Sequence, residues 1–144
     1  MYSDIAAVLA TSLWAGVVLG VSFVAQPAKF STPGLARPIA LATGRQMFQA
    51  TQVLESCLSI LAITLLMITG SRLRWPTFSA GAILVLQILV LMPPLSERVN
   101  ARLTGKTLAA SPWHALFGIS EVLKFLLLLT AAICSLLHTS ASQQ

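Results

Sequence analysis

The chain has 144 residues, 56% of them hydrophobic and only 9% charged, with a mean hydropathy of +0.85. So apolar and charge-poor a composition excludes an ordinary soluble domain and points to a bilayer. The net charge of +5 does not indicate nucleic acid, because the nine basic residues are spread over loops and helix ends and form no compact face.

Four apolar runs, residues 5–26, 48–69, 76–95 and 112–138, are each long enough for the ~20 helical residues that cross ~30 Å of hydrocarbon. They are continuously apolar rather than alternating, so helices are predicted and barrel strands are not. The expected fold is an all-α integral membrane protein, a four-transmembrane-helix up-down-up-down bundle forming one domain over residues 1–144.

No basic residue precedes the first run, and its apolar stretch continues past Ala15, so it is read as a retained span rather than a signal peptide. Ser12, Gly16 and Gly20, spaced by four, lay a strip of bare backbone along one face of the predicted helix. That strip is expected to serve internal bundle packing, with a homodimer surface as the alternative. The following "QPAKFSTPGLARP" holds three prolines and a glycine and cannot be one helix, although Pro38 is placed to begin an extension of span two.

Along span two, Arg45, Gln49, Gln52, Glu55 or Ser56, and Ser59 recur at three- and four-residue spacing, a polar stripe that should point inward. "GSRLRWP" reads as a tight turn, with Trp75 at an interface and Pro76 at the first helical position of span three. Span three carries Gln87, and "MPP" at residues 92–94 is expected to end or kink it. The third connection then closes on a helix start, with Ser111 as N-cap, Pro112 at the first position and Trp113 at the water boundary.

Span four opens "HALFGISEVLKFLLLL", in which His114 and Glu121 lie within about 20° of each other around the helix and Lys124 about 60° further round. Counted from one membrane face, Glu55, Gln87, Glu121 and Lys124 fall at roughly 10, 12, 14 and 18 Å. They are therefore expected to form one polar layer, with Glu121–Lys124 as the local pair and Glu55–Lys124 as the interhelical one. A charge at mid-bilayer costs about 2.5 to 3.5 kcal/mol, which pairing offsets. Two carboxylates against one ammonium leave a negative surplus, to be met by a proton, a cation, or Arg45 reaching in from the interface. The layer reads either as a structural network or as an ion, proton or ligand site. Arg45, Gln52 and His114 stand as interface residues, with a relay role as the alternative.

Six basic residues, Lys29, Arg37, Arg45, Arg98, Arg102 and Lys106, follow spans one and three, against Arg72 and Arg74 on the other side. The positive-inside rule then puts both termini in the periplasm. Cys57 and Cys134 differ in depth by roughly 18 Å, too far for a disulfide, and are expected to be apolar packing residues. His114 and His138 lie near opposite faces, which disfavours a bis-histidine haem, and no cofactor or metal site is expected.

Taken together, "FVAQPAKFSTPGLARPIALATGRQMFQATQVLE", "LMPPLSERVNARLTGK" and "SPWHALFGISEVLKFLLLL" resemble a family of uncharacterised four-helix inner-membrane proteins of proteobacteria. They are distantly similar to copper-resistance D type and transmembrane-protein-205-like membrane domains. The resemblance covers nearly the whole chain and implies roles for Pro27, Lys29, Phe30, Gly44, Arg45, Phe48, Glu55, Pro94, Leu95, Arg98, His114, Glu121 and Lys124. "PPLSER" departs from the Asp-Ala-Arg expected after the proline and leucine. The sequence contains no Ser/His/Asp set, metal-spaced cluster or phosphate loop, so the balance leans away from an enzyme. Two functions stay open: a structural or accessory membrane protein that binds the lipid bilayer and another membrane protein or itself, or a small proton- or cation-coupled transport or metal-handling protein.

Overall fold

The computed structural model describes residues 2–70, 74–106 and 108–141, with side chains described between residues 4 and 137 of these. Arg72 and the side chain of His138 lie outside that set. In chain order the elements are α1 (Tyr2–Val18), a first π-helical segment (Leu19–Ala25), α2 (Gln26–Phe30), α3 (Arg37–Thr69), α4 (Arg74–Leu86), a second π-helical segment (Gln87–Leu91), α5 (Met92–Leu103) and α6 (Trp113–Ala141). There is no strand among the described residues. α1 and α2, and likewise α4 and α5, run on through the π segments as continuous rods. Four helices, Asp4–Phe30, Arg37–Thr69, Arg74–Leu103 and Trp113–Leu137, are thus long and apolar enough to cross a membrane.

Their limits run past the ends expected at two proline sites. The first long helix passes Pro27 and continues to Phe30, and the third passes Pro93 and Pro94 and continues for a further nine residues to Leu103. Proline lacks an N–H and crowds the carbonyl four residues back, so an ordinary α-turn cannot contain it. Here a wider turn lies just upstream of each proline site, marked by the Gln26 N–H reaching Val21 O and the Met92 N–H reaching Gln87 O, five residues back. The wide turn absorbs the clash and the helix proceeds. Pro38 does open α3, one residue inside its start, and the Trp113 N–H donates to Ser111 Oγ at 3.3 Å as an N-cap should.

α1 and α4 each pack on both α3 and α6. The main apolar core is Trp14, Ala15, Val18, Leu58, Ala80, Leu84 and Leu128. A second cluster of Leu91, Met92 and Phe117, backed by Phe48, Leu95 and Trp113, sits toward the end of the bundle that carries residues 31–36 and 104–112. Lys29, Arg37, Arg45, Arg98, Arg102 and Lys106 also gather toward that end, called the basic end below. Long aliphatic side chains such as Leu9, Val53, Ile68 and Leu137 point away from the core around the outside.

Three further expectations are corrected. Gly16 and Gly20 are exposed, and an added Cβ would meet nothing within 4 Å at either, because α1 turns Ala7, Ala10, Thr11, Trp14, Ala15 and Val18 inward instead. In α3 the buried face is Ala40, Gly44, Thr51, Glu55, Leu58, Ser59, Ala62 and Leu66, so of the polar stripe only Glu55 and Ser59 are buried, while Gln49 is exposed. Cys57 is a free, exposed thiol rather than a packing residue, and Cys134 is half-buried.

The outward glycines make a direct prediction. Gly16→Leu should leave the thermal midpoint in detergent unchanged or raise stability by up to about 1 kcal/mol, the helix-propensity gain over glycine. A clear fall in the midpoint would mean that the strip is an internal contact after all.

Candidate functional site

Lys124 is the largest charged side chain in the interior and has no exposed surface, on a helix otherwise lined with leucine. An ammonium carries three N–H donors. All three are used: Glu55 Oε2 at 2.6 Å, Glu121 Oε1 at 2.7 Å and Gln87 Oε1 at 2.9 Å. The acceptors come from α3, from α6 itself and from the second π segment.

Each acceptor is held in turn. The Trp14 indole N–H donates to Glu55 Oε2 at 2.9 Å, and Ser22 Oγ donates to Glu121 Oε2 at 2.5 Å. The Gln87 amide gives its two N–H bonds to Glu121 Oε1 and Ser120 Oγ, both at 2.8 Å. Its orientation is therefore fixed by its partners on both ends. All four long helices meet in this network: Trp14 and Ser22 from the first, Glu55 from the second, Gln87 from the third, and Ser120, Glu121 and Lys124 from the fourth.

Ser22 and Gln87 both belong to π-helical segments. A wide turn shifts the facing of every residue after it relative to an unbroken α-helix. Val18, Ser22 and Gln26 accordingly share one inward side of the first helix.

On the basic-end side of the network opens a cavity of about 290 Å³. Its floor is Glu121 and Ser22, its walls include Phe23, Phe48, Met92, Leu95 and Phe117, and its basic groups are Lys29, Arg45 and His114. Phe48 and Phe117 meet edge to face at 4.9 Å. Lys29 bonds Gln26 Oε1 and lies 4.8 Å from the Phe30 ring centre and 5.9 Å from that of Phe48. Its ammonium lies against Gly44, where an added Cβ would push the flexible Lys29 tip aside. Gln26 Nε2 bonds the Gly44 carbonyl at 3.4 Å and draws α2 onto α3.

Of the other candidate residues, Arg45 turns to Asn100 Oδ1 on α5 rather than down to the carboxylates, so it does not offset their surplus charge. Arg98 bonds the Ala109 carbonyl and ties α5 to the connection that follows it. Gln52 is half-buried, belongs to neither network nor cavity, and its Nε2 has no partner. His114 is exposed at the cavity, and Pro94 is half-buried just after the second π segment. Pro27, Phe30 and Leu95 line the cavity beside Lys29, Gly44 and Phe48. Among the described residues no three His, Cys, Asp or Glu side chains come together as a group able to hold a metal ion.

Sequence reasoning missed Trp14, Ser22 and Ser120. A signal existed for the first two: Trp14 stands deep inside an apolar run, where its N–H needs a partner, and Ser22 lies four residues from Gln26.

The fold and site define a four-helix protein with a closed ionic network and a cavity at one end. Compared with models of known protein families, with curated proteins and with solved structures, the chain finds no match.

Because Lys124 serves two carboxylates, Lys124→Leu should cost about 3 to 5 kcal/mol, the price of leaving buried charge unpaired. Adding Glu121→Gln should recover about 1 to 3 kcal/mol of that, since the pair is directly coupled. Trp14→Phe, which deletes the donor to Glu55 and leaves a small cavity where the second ring was, should cost about 1 to 3 kcal/mol. Thermal unfolding in detergent reads all three, and strictly additive losses for Lys124 and Glu121 would contradict the network.

Proposed function

We propose that the chain is an integral protein of the bacterial inner membrane, inserted as an up-down-up-down bundle with both termini periplasmic and the basic end in the cytoplasm. The four apolar helices and the six-to-two bias of basic residues support this placement. It acts as a structural or accessory membrane protein rather than an enzyme. Its polar layer fixes the register of four helices and presents their outer surface to lipid and to another membrane protein or a second copy.

The observation that carries this reading is the saturation of Lys124. Every ammonium proton has an acceptor within 2.9 Å, and Gln87 has its full set of partners, which is the signature of a lock. Toward the far end the layer is followed by the apolar core residues Leu58, Ala80, Leu84 and Leu128, where the buried hydroxyls of Thr11 and Ser59 bond carbonyls of their own helices. Proton- or cation-coupled transport through Glu55 and Glu121 is the second reading. What favours it is the formal excess of one carboxylate in the layer.

Topology is checked with single cysteines at Ser31, Arg74 and Ser140 in a Cys57, Cys134 null background. An impermeant thiol reagent applied to intact cells should label positions 74 and 140, with 31 protected; the reverse pattern would invert the bundle. Function is checked in proteoliposomes. Glu55→Gln and Glu121→Gln should lower thermal stability while wild-type vesicles pass no more protons or cations than empty ones. A pH-dependent flux abolished by either substitution would establish transport in place of the accessory role.

A further inference from the structure

The cavity at the basic end shares only its floor, Ser22 and Glu121, with the helix lock, and its charges do not balance. Lys29 and Arg45 both line it, and neither has a carboxylate within ion-pair distance among the described residues. Arg45 engages only Asn100, and its buried Nε has no partner. The one carboxylate in the lining, Glu121, already receives Lys124, Gln87 and Ser22. The walls between are mostly apolar: Phe23, Phe48, Met92, Leu95 and Phe117.

An unpaired cation in an apolar recess is expensive unless something anionic meets it. We propose that this cavity binds one amphipathic anion, a carboxylate or phosphate monoester on a single apolar chain, with its head between Lys29 and Arg45 and its chain against the aromatic walls. Arg45 offers its fork and Lys29 a point charge, the two donor types that recognise such heads. The negative floor at Glu121 keeps the head at the mouth. At about 290 Å³ the space lies at the small end of small-molecule pockets and suits one chain better than a two-chain glycerolipid. The bare backbone of Gly44 lies against the Lys29 ammonium in its present place. The inference goes beyond the helix-locking role, and the residues it tests are not those of the lock.

The test uses the full chain in zwitterionic phosphatidylcholine nanodiscs, titrated calorimetrically with decanoate, decyl phosphate and decanol against empty discs. Decanoate and decyl phosphate should bind saturably, one per chain, and decanol should show only the partitioning seen with empty discs. Lys29→Gln with Arg45→Gln should weaken decanoate about tenfold or more, the scale of losing a charge-assisted hydrogen bond, while Arg98→Gln leaves it unchanged. Lys29→Arg, which keeps the charge, should retain binding if the double variant proves unstable. Discs doped with phosphatidylglycerol distinguish the source. Unchanged decanoate affinity supports a free single-chain anion, and strong competition by this two-chain phosphodiester would overturn the single-chain assignment. Saturable binding of decanol equal to that of decanoate, no saturable binding of either anion by the wild type, or full affinity in a folded double variant would each overturn the proposal.

Discussion

One buried ammonium organises this molecule. Lys124 is fully enclosed among apolar residues, and removing such an ion from water carries an effective penalty of several kcal/mol. Only close, well-directed acceptors offset it, and Lys124 has three. Two of those acceptors are themselves buried carboxylates, so the demand passes outward to Trp14 and Ser22, which supply the donors the glutamates need. The chain of obligations ends only when every long helix has contributed. A bundle of leucine-rich helices can slide and rotate at little energetic difference, whereas this network is complete in one register.

The prolines belong to the same constraint. Pro27 and the Pro93–Pro94 pair would ordinarily stop their helices, and each instead follows a π-helical segment that relieves the missing N–H and the carbonyl clash. Those wide turns have a second effect, because they change which side chains face inward. Ser22 and Gln87, the polar contributions of the first and third helices, both lie in them. Backbone irregularity and side-chain chemistry thus coincide at one level of the bundle, and the cavity begins immediately on the basic-end side of it.

The two ends of the bundle differ as a result. Beyond the layer toward the far end, small residues such as Ala62, Ala80, Ala131 and Ala132 allow the helices to close together. Toward the basic end aromatic side chains and a cavity lie between the helices.

Sequence alone determined the helical class, the four long apolar segments and the identity of the charged residues that must meet, because segment length and hydropathy are local and an intramembrane charge has few remedies. It also gave the start of α3 at Pro38 and the Ser111 cap, which depend on neighbours one to three residues away. Tertiary structure decided which way each helix is turned. Gly16 and Gly20 face outward and Gln49 with them, since small and polar periodicities in a span do not say which neighbour, if any, lies opposite. The persistence of helix past Pro27 and Pro93 was likewise a matter of context, for only the packed bundle determines where a wide turn can be accommodated. Trp14 joined the site for the same reason: its N–H had to find an acceptor, and only the docking of α1 on α3 brought Glu55 within 2.9 Å of it.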